Sequence, residues 1–384
     1  MRRLLILAST VVFFDVAFYA AIAPLLPDYV AQFGLNKAEA GILASAYAAG
    51  TLIASLPAGF VATWIGPRRT VIAGLLLLGG SSVVFGFGRE IDLLDAARFA
   101  QGVSGALIWA GALSWLITTT PAERRGSVIG TALGTAVAGA LVGPLLGAVA
   151  AEVGTEAVFG AVLAIAAVLS AIAARLPEAG PPERQPLREV AETILSRPIL
   201  TATAFVAVPS LMFGVVEVLV PLRIDELGGG HAVIAAGFIV GAALEAVLAP
   251  AAGRYSDRVG RRLPFVVGIA ICAFAMVGIA AATALGPMLA ALILASLGAG
   301  ICFAPALTTL SETADSSRLY QGYAAGLSNM AWAAGQAVGA LAGGALAGAS
   351  SYAVPSLVVA VLLLSTSAYA YRALVPPLIQ PAES

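Results

Sequence analysis

Charge is what this chain has least of. Only 11% of its 384 residues are Asp, Glu, Lys or Arg, against roughly 25% in a soluble globular protein. Sixty per cent are hydrophobic and the mean hydropathy is +0.97. Such a composition cannot stay in water without aggregating, so the class is integral membrane protein. Cysteine is nearly absent too. Cys272 and Cys302 lie inside apolar runs, which argues against a structural disulfide. There is one histidine, and no cluster with metal-ligand spacing. The one lysine, Lys37, follows no glycine-rich loop, so no phosphate-binding loop is present. No nucleophile–base constellation is present either. The chain is therefore expected to be no enzyme and to need no cofactor. A net charge of −1 gives nucleic acid nothing to bind.

What remains is oil, divided into twelve runs. A spanning helix needs about 20 apolar residues. Runs of that kind fall at about 4–27, 39–62, 70–88, 91–119, 126–150, 154–175, 199–224, 231–252, 263–284, 286–311, 319–347 and 351–374. The first is long enough to span and has no small-residue cleavage site after it, so it is expected to remain as a helix. The longest break, Leu176 to Pro198, is rich in proline and charge and divides the runs six and six. The expected organisation is a bundle over 1–176, a linker over 177–198 and a second bundle over 199–384. With both termini on one side, sixteen arginines fall on that side, among them Arg68, Arg69, Arg261 and Arg262, and only Lys37, Arg89 and Arg223 on the other. The positive-inside rule then makes both termini cytoplasmic.

The halves repeat each other. Gly59 and Gly66 recur as Gly253 and Gly260, 194 residues later. Gly126, Gly130, Gly139, Gly143 and Gly147 recur as Gly322, Gly326, Gly335, Gly339 and Gly343, 196 residues later. Repeated six-helix halves point to a transporter, with its substrate site between the halves near mid-membrane. The expected class is an all-α membrane protein of twelve helices in two pseudo-symmetric bundles.

The loop "GRYSDRVGRR", with Gly253, Asp257, Gly260, Arg261 and Arg262, resembles the loop signature of the major facilitator superfamily. Its first-half copy, "GFVATWIGPRR", has Thr63 where the family has Asp and Pro67 where it has Arg. "RFAQGVSGA" in the fourth run is similar to the family's Arg-x-x-Gln-Gly element. "GALVGPLLG", with Gly139, Gly143, Pro144 and Gly147, resembles the motif of the twelve-helix drug:proton antiporters. "DVAFYAAIAPLLP" and "VVEVLVPLRI" look like the first and seventh helices of vesicular monoamine transporters and their bacterial multidrug relatives, which carry acids where Asp15 and Glu217 stand. Asn329 departs from that pattern, since the vesicular transporters have Asp there. The resemblance implies a monomer in the cell membrane that exports small molecules in exchange for protons.

Three acids, Asp15, Glu217 and Glu245, lie well inside apolar runs. A charge at mid-bilayer costs at least ~2.5–3.5 kcal/mol, so such acids face a cavity or a partner. A carboxylate in an accessible cavity can hold either a proton or a cationic substrate, and competition between the two couples their movement. The bland reading is a carboxyl paired with Arg98 or a backbone amide. Arg98 is the only basic residue well inside a run; it could pair with an acid, relay protons or brace its helix, and the resemblance implies a role in coupling, while the bland reading is a side chain that snorkels near Asp92 and Asp95. Tyr47, Trp109 and Asn329 are the preferred cavity-lining candidates, with Tyr19, Trp115, Phe213 and Trp332 behind them; aromatic faces attract organic cations by ~0.5–2 kcal/mol. By pseudo-symmetry Asp257 is expected to reach the start of the fifth helix near Gly126 and Ser127 and to act as a latch between the halves. The glycines of the fifth run share a face, and either seal an interface or merely pack. His231 carries no assignment. A sugar-like neutral solute is the competing substrate class.

Overall fold

The computed structural model describes residues 2–178, 186–319 and 321–374, without the side chains at 122–127, 129, 187, 321 and 322. Fourteen helices run through these residues, and no strand occurs among them. The first half is α1 (Arg2–Ala20), α2 (Ile22–Phe33), α3 (Lys37–Ile65), α4 (Pro67–Phe87), α5 (Ile91–Thr119), α6 (Ala122–Val153) and α7 (Thr155–Ala174). A short helix, α8 (Leu187–Ile194), lies between the halves. The second half is α9 (Arg197–Glu226), α10 (His231–Val259), α11 (Arg262–Ala281), α12 (Leu285–Ser316), α13 (Gln321–Ala349) and α14 (Ala353–Ala373). Twelve spans are long and apolar enough to cross a membrane, with α1 and α2 together forming the first. Residues such as Ile53, Trp64 and Phe274 turn their apolar side chains outward, as a lipid-facing surface requires.

Three details differ from the sequence expectation. The first span does not stop at Pro27; α2 carries it to Phe33, where Gly34 ends it in the left-handed conformation at φ 65°. The span is also cut after Ala20. Pro24 has no N–H for the Ala20 carbonyl, and its ring crowds that carbonyl, so the helix breaks and restarts. The stretch between the halves is likewise not all loop, because α8 forms within it. After the turn at Gly34, α3 starts on a capping box. Asn36 Oδ1 accepts from the Ala38 and Glu39 amides at 2.8 and 3.0 Å, and Glu39 accepts from the Asn36 amide at 2.8 Å.

The sequence repeat is a repeat of contacts. A methyl group on Gly139 would meet the Phe13 carbonyl, on Gly143 the Ala17 carbonyl, and on Gly147 the Ala21 carbonyl. In the second half Gly335 meets Ala207, Gly339 meets Leu211 and Gly343 meets Val215. Each of those partners lies 194 residues after its first-half counterpart. Thus α6 lies against α1 as α13 lies against α9, with the closest backbone approaches at Gly139, Gly147, Gly335 and Gly339, where a side chain would not fit. Gly66 and Gly260 form a second matched pair. Both have φ 88° with extended ψ, a region essentially closed to other residues, and each turns the chain from one span into the next.

Candidate functional site: an aromatic–carboxylate chain between two cavities

The halves meet along α3 and α13, and between α6 and α10. The two ends of the molecule are distinguished by their charges. One, the basic end, carries Arg68, Arg69, Arg261 and Arg262; the other carries Asp28, Lys37 and His231. A cavity extends from mid-depth toward the basic end. Ser55 and Thr63 on α3, Trp109 and Ser114 on α5, and Tyr323 and Asn329 on α13 line it, among apolar side chains. Asn329 reaches across the halves to Ser55 Oγ at 3.4 Å. A second cavity carries Tyr19, Pro144, Phe213, Glu217 and Glu245 on its wall.

Asp15 is 1% exposed and has two donors. Tyr47 Oη donates to its Oδ1 at 3.0 Å, and Trp109 Nε1 to its Oδ2 at 3.1 Å. Glycine makes room for this. A methyl group on Gly105 would lie 3.0 Å from Asp15 Oδ1 and against the Tyr47 hydroxyl. One turn earlier Gly102 packs on the Tyr47 carbonyl, and Thr51 Oγ1 donates to the Gly102 carbonyl at 3.1 Å. These contacts fix α3 against α5 and aim Tyr47 at Asp15.

Glu217 is 6% exposed and is held from both halves. Tyr19 Oη, from α1, donates to Glu217 Oε2 at 2.9 Å. Gln336 Nε2, from α13, contacts both the Tyr19 hydroxyl and Glu217 Oε2. The rings of Tyr19 and Tyr47 are 4.8 Å apart, and Trp332 meets Tyr19 edge-on at 5.5 Å. The order Trp109, Asp15, Tyr47, Tyr19, Glu217, Gln336 thus links the wall of the first cavity to that of the second. Glu245 stands apart in the second cavity, which Ser296 also lines.

Arg98 is 1% exposed, so it does not snorkel, and among the described residues it forms no ion pair. Its guanidinium bonds Gln101 Oε1 at 3.0 Å and the Phe18 and Tyr19 carbonyls at 3.5 and 3.3 Å. Those carbonyls belong to the last turn of α1, left open by the break before Ile22. A cation there completes a helix C-terminus. The Tyr47 and Phe85 rings flank it at 5.2 and 5.8 Å. Neither Asp92 nor Asp95 is its partner.

Asp257 pairs with Arg261, which also reaches Glu312 at 2.7 Å; Glu312 and then Asp257 hold that guanidinium more firmly protonated. Arg262 stacks on Tyr371 with its guanidinium 3.5 Å from the ring centre. Gly253 stands on α10 one turn before Asp257, and Gly260 forms the turn that follows. The expected contacts at Gly126 and Ser127 lie outside the described side chains. Trp115 is no cavity residue: buried, it donates to the Pro177 carbonyl at 3.2 Å.

Sequence reasoning missed Gln336, Gly105, Tyr323 and the cross-half pair of Asp28 and His231, 2.8 Å apart. Gln336 had a signal, as an amide in an apolar run two turns beyond Asn329. Gly105 had another, three residues after Gly102. The His231 pairing had none, since its partner lies 203 residues away.

A sequence profile of the Major Facilitator Superfamily matches residues 7–320. The chain belongs to that superfamily. It is a multi-pass membrane transporter. Curated relatives in the superfamily include the MFS-type transporter ppzB of Metarhizium majus, 32% identical over 125 residues, or 31% of this chain and 27% of that protein. The quinolone resistance protein NorA of Staphylococcus aureus is 26% identical over 109 residues, 28% of either chain. These alignments span little more than a quarter of the relatives' length. Among solved structures, the fold is shared with a D-xylose–proton symporter at a TM-score of 0.73 and 14% identity, over 96% of both chains. It is shared with a bacterial homologue of the human lysosomal transporter Spinster, inward-facing and unoccupied, at 0.75 and 12%, again over 96% of both.

Proposed function

We propose that this transporter exports cationic or amphipathic small molecules in exchange for protons, by alternating access. It acts as a monomer in the cell membrane with both termini cytoplasmic, so the first cavity opens inward. Asp15 and Glu217 exchange the protons, and Trp109, Tyr47 and Asn329 meet or support the substrate. One observation carries this reading: the indole of Trp109 stands on the cavity wall and is bonded to a carboxylate sealed from lipid. The partial likeness to NorA supports the substrate class. Glu245, on the second cavity, is a further proton site, and Arg98 steadies the helix that bears Asp15. The sequence of Asp257 with Gly253, Gly260, Arg261 and Arg262 serves as the inner latch, and the glycine–proline face of Gly139, Gly143, Pro144 and Gly147 keeps α1 seated.

A neutral solute is the second reading, favoured by the uncharged polar groups on the first cavity: Ser55, Ser114 and Asn329. Proteoliposomes separate the two. Adding cationic solutes is expected to drive proton flux with wild type and none with Asp15→Asn. Flux driven only by neutral solutes would select the second reading.

A further inference from the structure

The two donors to Asp15 are not equally free to move. Tyr47 is hemmed in. Its ring has Tyr19 on one side and Arg98 on the other, and its hydroxyl sits against Gly105. Trp109 is held on one edge by Asp15 and has the first cavity before it. It lines that cavity and Tyr47 does not.

The state of the carboxyl therefore decides where the indole rests. An ionised carboxylate accepts on both oxygens, and hydrogen bonds to a charged acceptor are about twice as strong as neutral ones. A proton added at Oδ2 removes the charge and turns that oxygen into a donor, with less capacity to accept. The indole N–H then loses its charged partner, while Tyr47 can keep its bond at Oδ1.

We infer that Trp109 converts the proton on Asp15 into the shape of the substrate cavity. With Asp15 ionised, the ring is drawn back and the cavity is open. With Asp15 protonated, the ring is released into the cavity and takes the space a substrate would fill. The proton stays on the carboxyl oxygen throughout, and the indole keeps its own hydrogen. Trp109 is thus a positioning residue. This rests on the proposed proton site at Asp15, and it adds that the substrate need not touch Asp15 for proton and substrate to exclude each other.

Few other titratable groups bear on Asp15. Arg98 on α5 acts on it from behind Tyr47, Tyr47 itself comes from α3, and Tyr19 stands on the same helix with Glu217 of α9 behind it. The length of α6 that packs along α1, from Gly139 to Gly147, has no ionisable side chain.

The test uses the full chain in nanodiscs with Trp64, Trp115 and Trp332 replaced by Phe, so that Trp109 is the only tryptophan. Its emission and its quenching by acrylamide are read from pH 9 to pH 5, with no solute added. Accessibility is expected to rise as the pH falls, and to lose that dependence when Asp15→Asn is added. A flat profile before that change, or an unaltered one after it, overturns the inference. A second variant guards against misfolding of the triple replacement. In the otherwise native chain Trp109→Phe keeps the ring and removes the N–H. Wild type is expected to bind tetraphenylphosphonium about tenfold more tightly at pH 8 than at pH 5, the lower bound for one hydrogen bond to a charged group. Trp109→Phe is expected to narrow that ratio at least by half. An unchanged ratio overturns the inference. Absence of binding by wild type at any pH counts against the proposed substrate class instead, while the emission profile still decides the role of Trp109.

Discussion

The two ends of this transporter are held in opposite ways. At the end bearing Asp28, the halves are joined to each other. Asp28 of α2 meets His231 of α10 at 2.8 Å. Lys37 of α3 lies 3.8 Å over the ring of Tyr352, just before α14. Tyr352 is anchored in turn by Glu226; burial, then that carboxylate, pushes its phenol up from the ordinary range and keeps it a donor. Gly344 of α13 sits directly on Gly41 and the Lys37 carbonyl of α3. At the basic end the ion pairs stay at home. Arg68 reaches Glu178 at 3.0 Å, and Arg261 reaches Asp257 and Glu312, each inside its own side of the molecule. Closure at one end and an open cavity toward the other follow from where the cross-half contacts lie, not from how many charges each end carries.

The sharpest way to break this contrast is Gly344→Val. Its methyl groups would enter backbone that α3 already fills, and overpacking of this kind costs about 1–3 kcal/mol. Spin labels on the exposed positions Gln32 and Ser350, which lie on opposite halves at the joined end, are expected to move apart, with transport lost. An unchanged distance would show that the glycine seam does not hold the end shut.

A smaller effect is expected from His231→Gln. The pair is partly exposed, and pairs of that kind contribute about 0.2–1 kcal/mol. The same label distance is expected to lengthen slightly in the variant, which should bind substrate as before.

The smallest effect belongs to the basic end. Glu178→Gln removes the partner of Arg68 and Arg69, but no contact between the halves. Transport rates are expected within about twofold of wild type, because exposed ion pairs contribute ~0–1 kcal/mol. A larger loss would mean that this loop also governs the open end.

These tests separate what could be read in the sequence from what could not. The spans and the repeat were legible because lipid imposes length and glycine imposes close contact, and both are local patterns. The depth of Asp15 and Glu217 was legible for the same reason. Their partners were not. Trp109 and Asp15 are 94 residues apart, and Gln336 and Glu217 are 119 apart, so only the packing of α1, α5, α9 and α13 brings them together. Arg98 shows the limit clearly. An arginine in an apolar run suggests a missing carboxylate, whereas its partners are carbonyl oxygens released by a break in another helix. Pro24 announced that break, but the apolar run from Val11 to Pro27, interrupted only by Asp15, concealed it.

That break divides the first span into two pieces with different company. The backbone of the piece bearing Asp15 lies along α5 and α6, in its own half, and reaches the other through the Tyr19 side chain, while the piece bearing Asp28 itself packs on α9 and α10 of the other half. An unbroken rod would have to tilt as a whole whenever the halves part. A rod jointed at Ala21 can flex there, so the segment bearing Asp15 can tilt apart from the segment bearing Asp28. Arg98, bonded to the Phe18 and Tyr19 carbonyls just before the joint, sits where it would resist that bending.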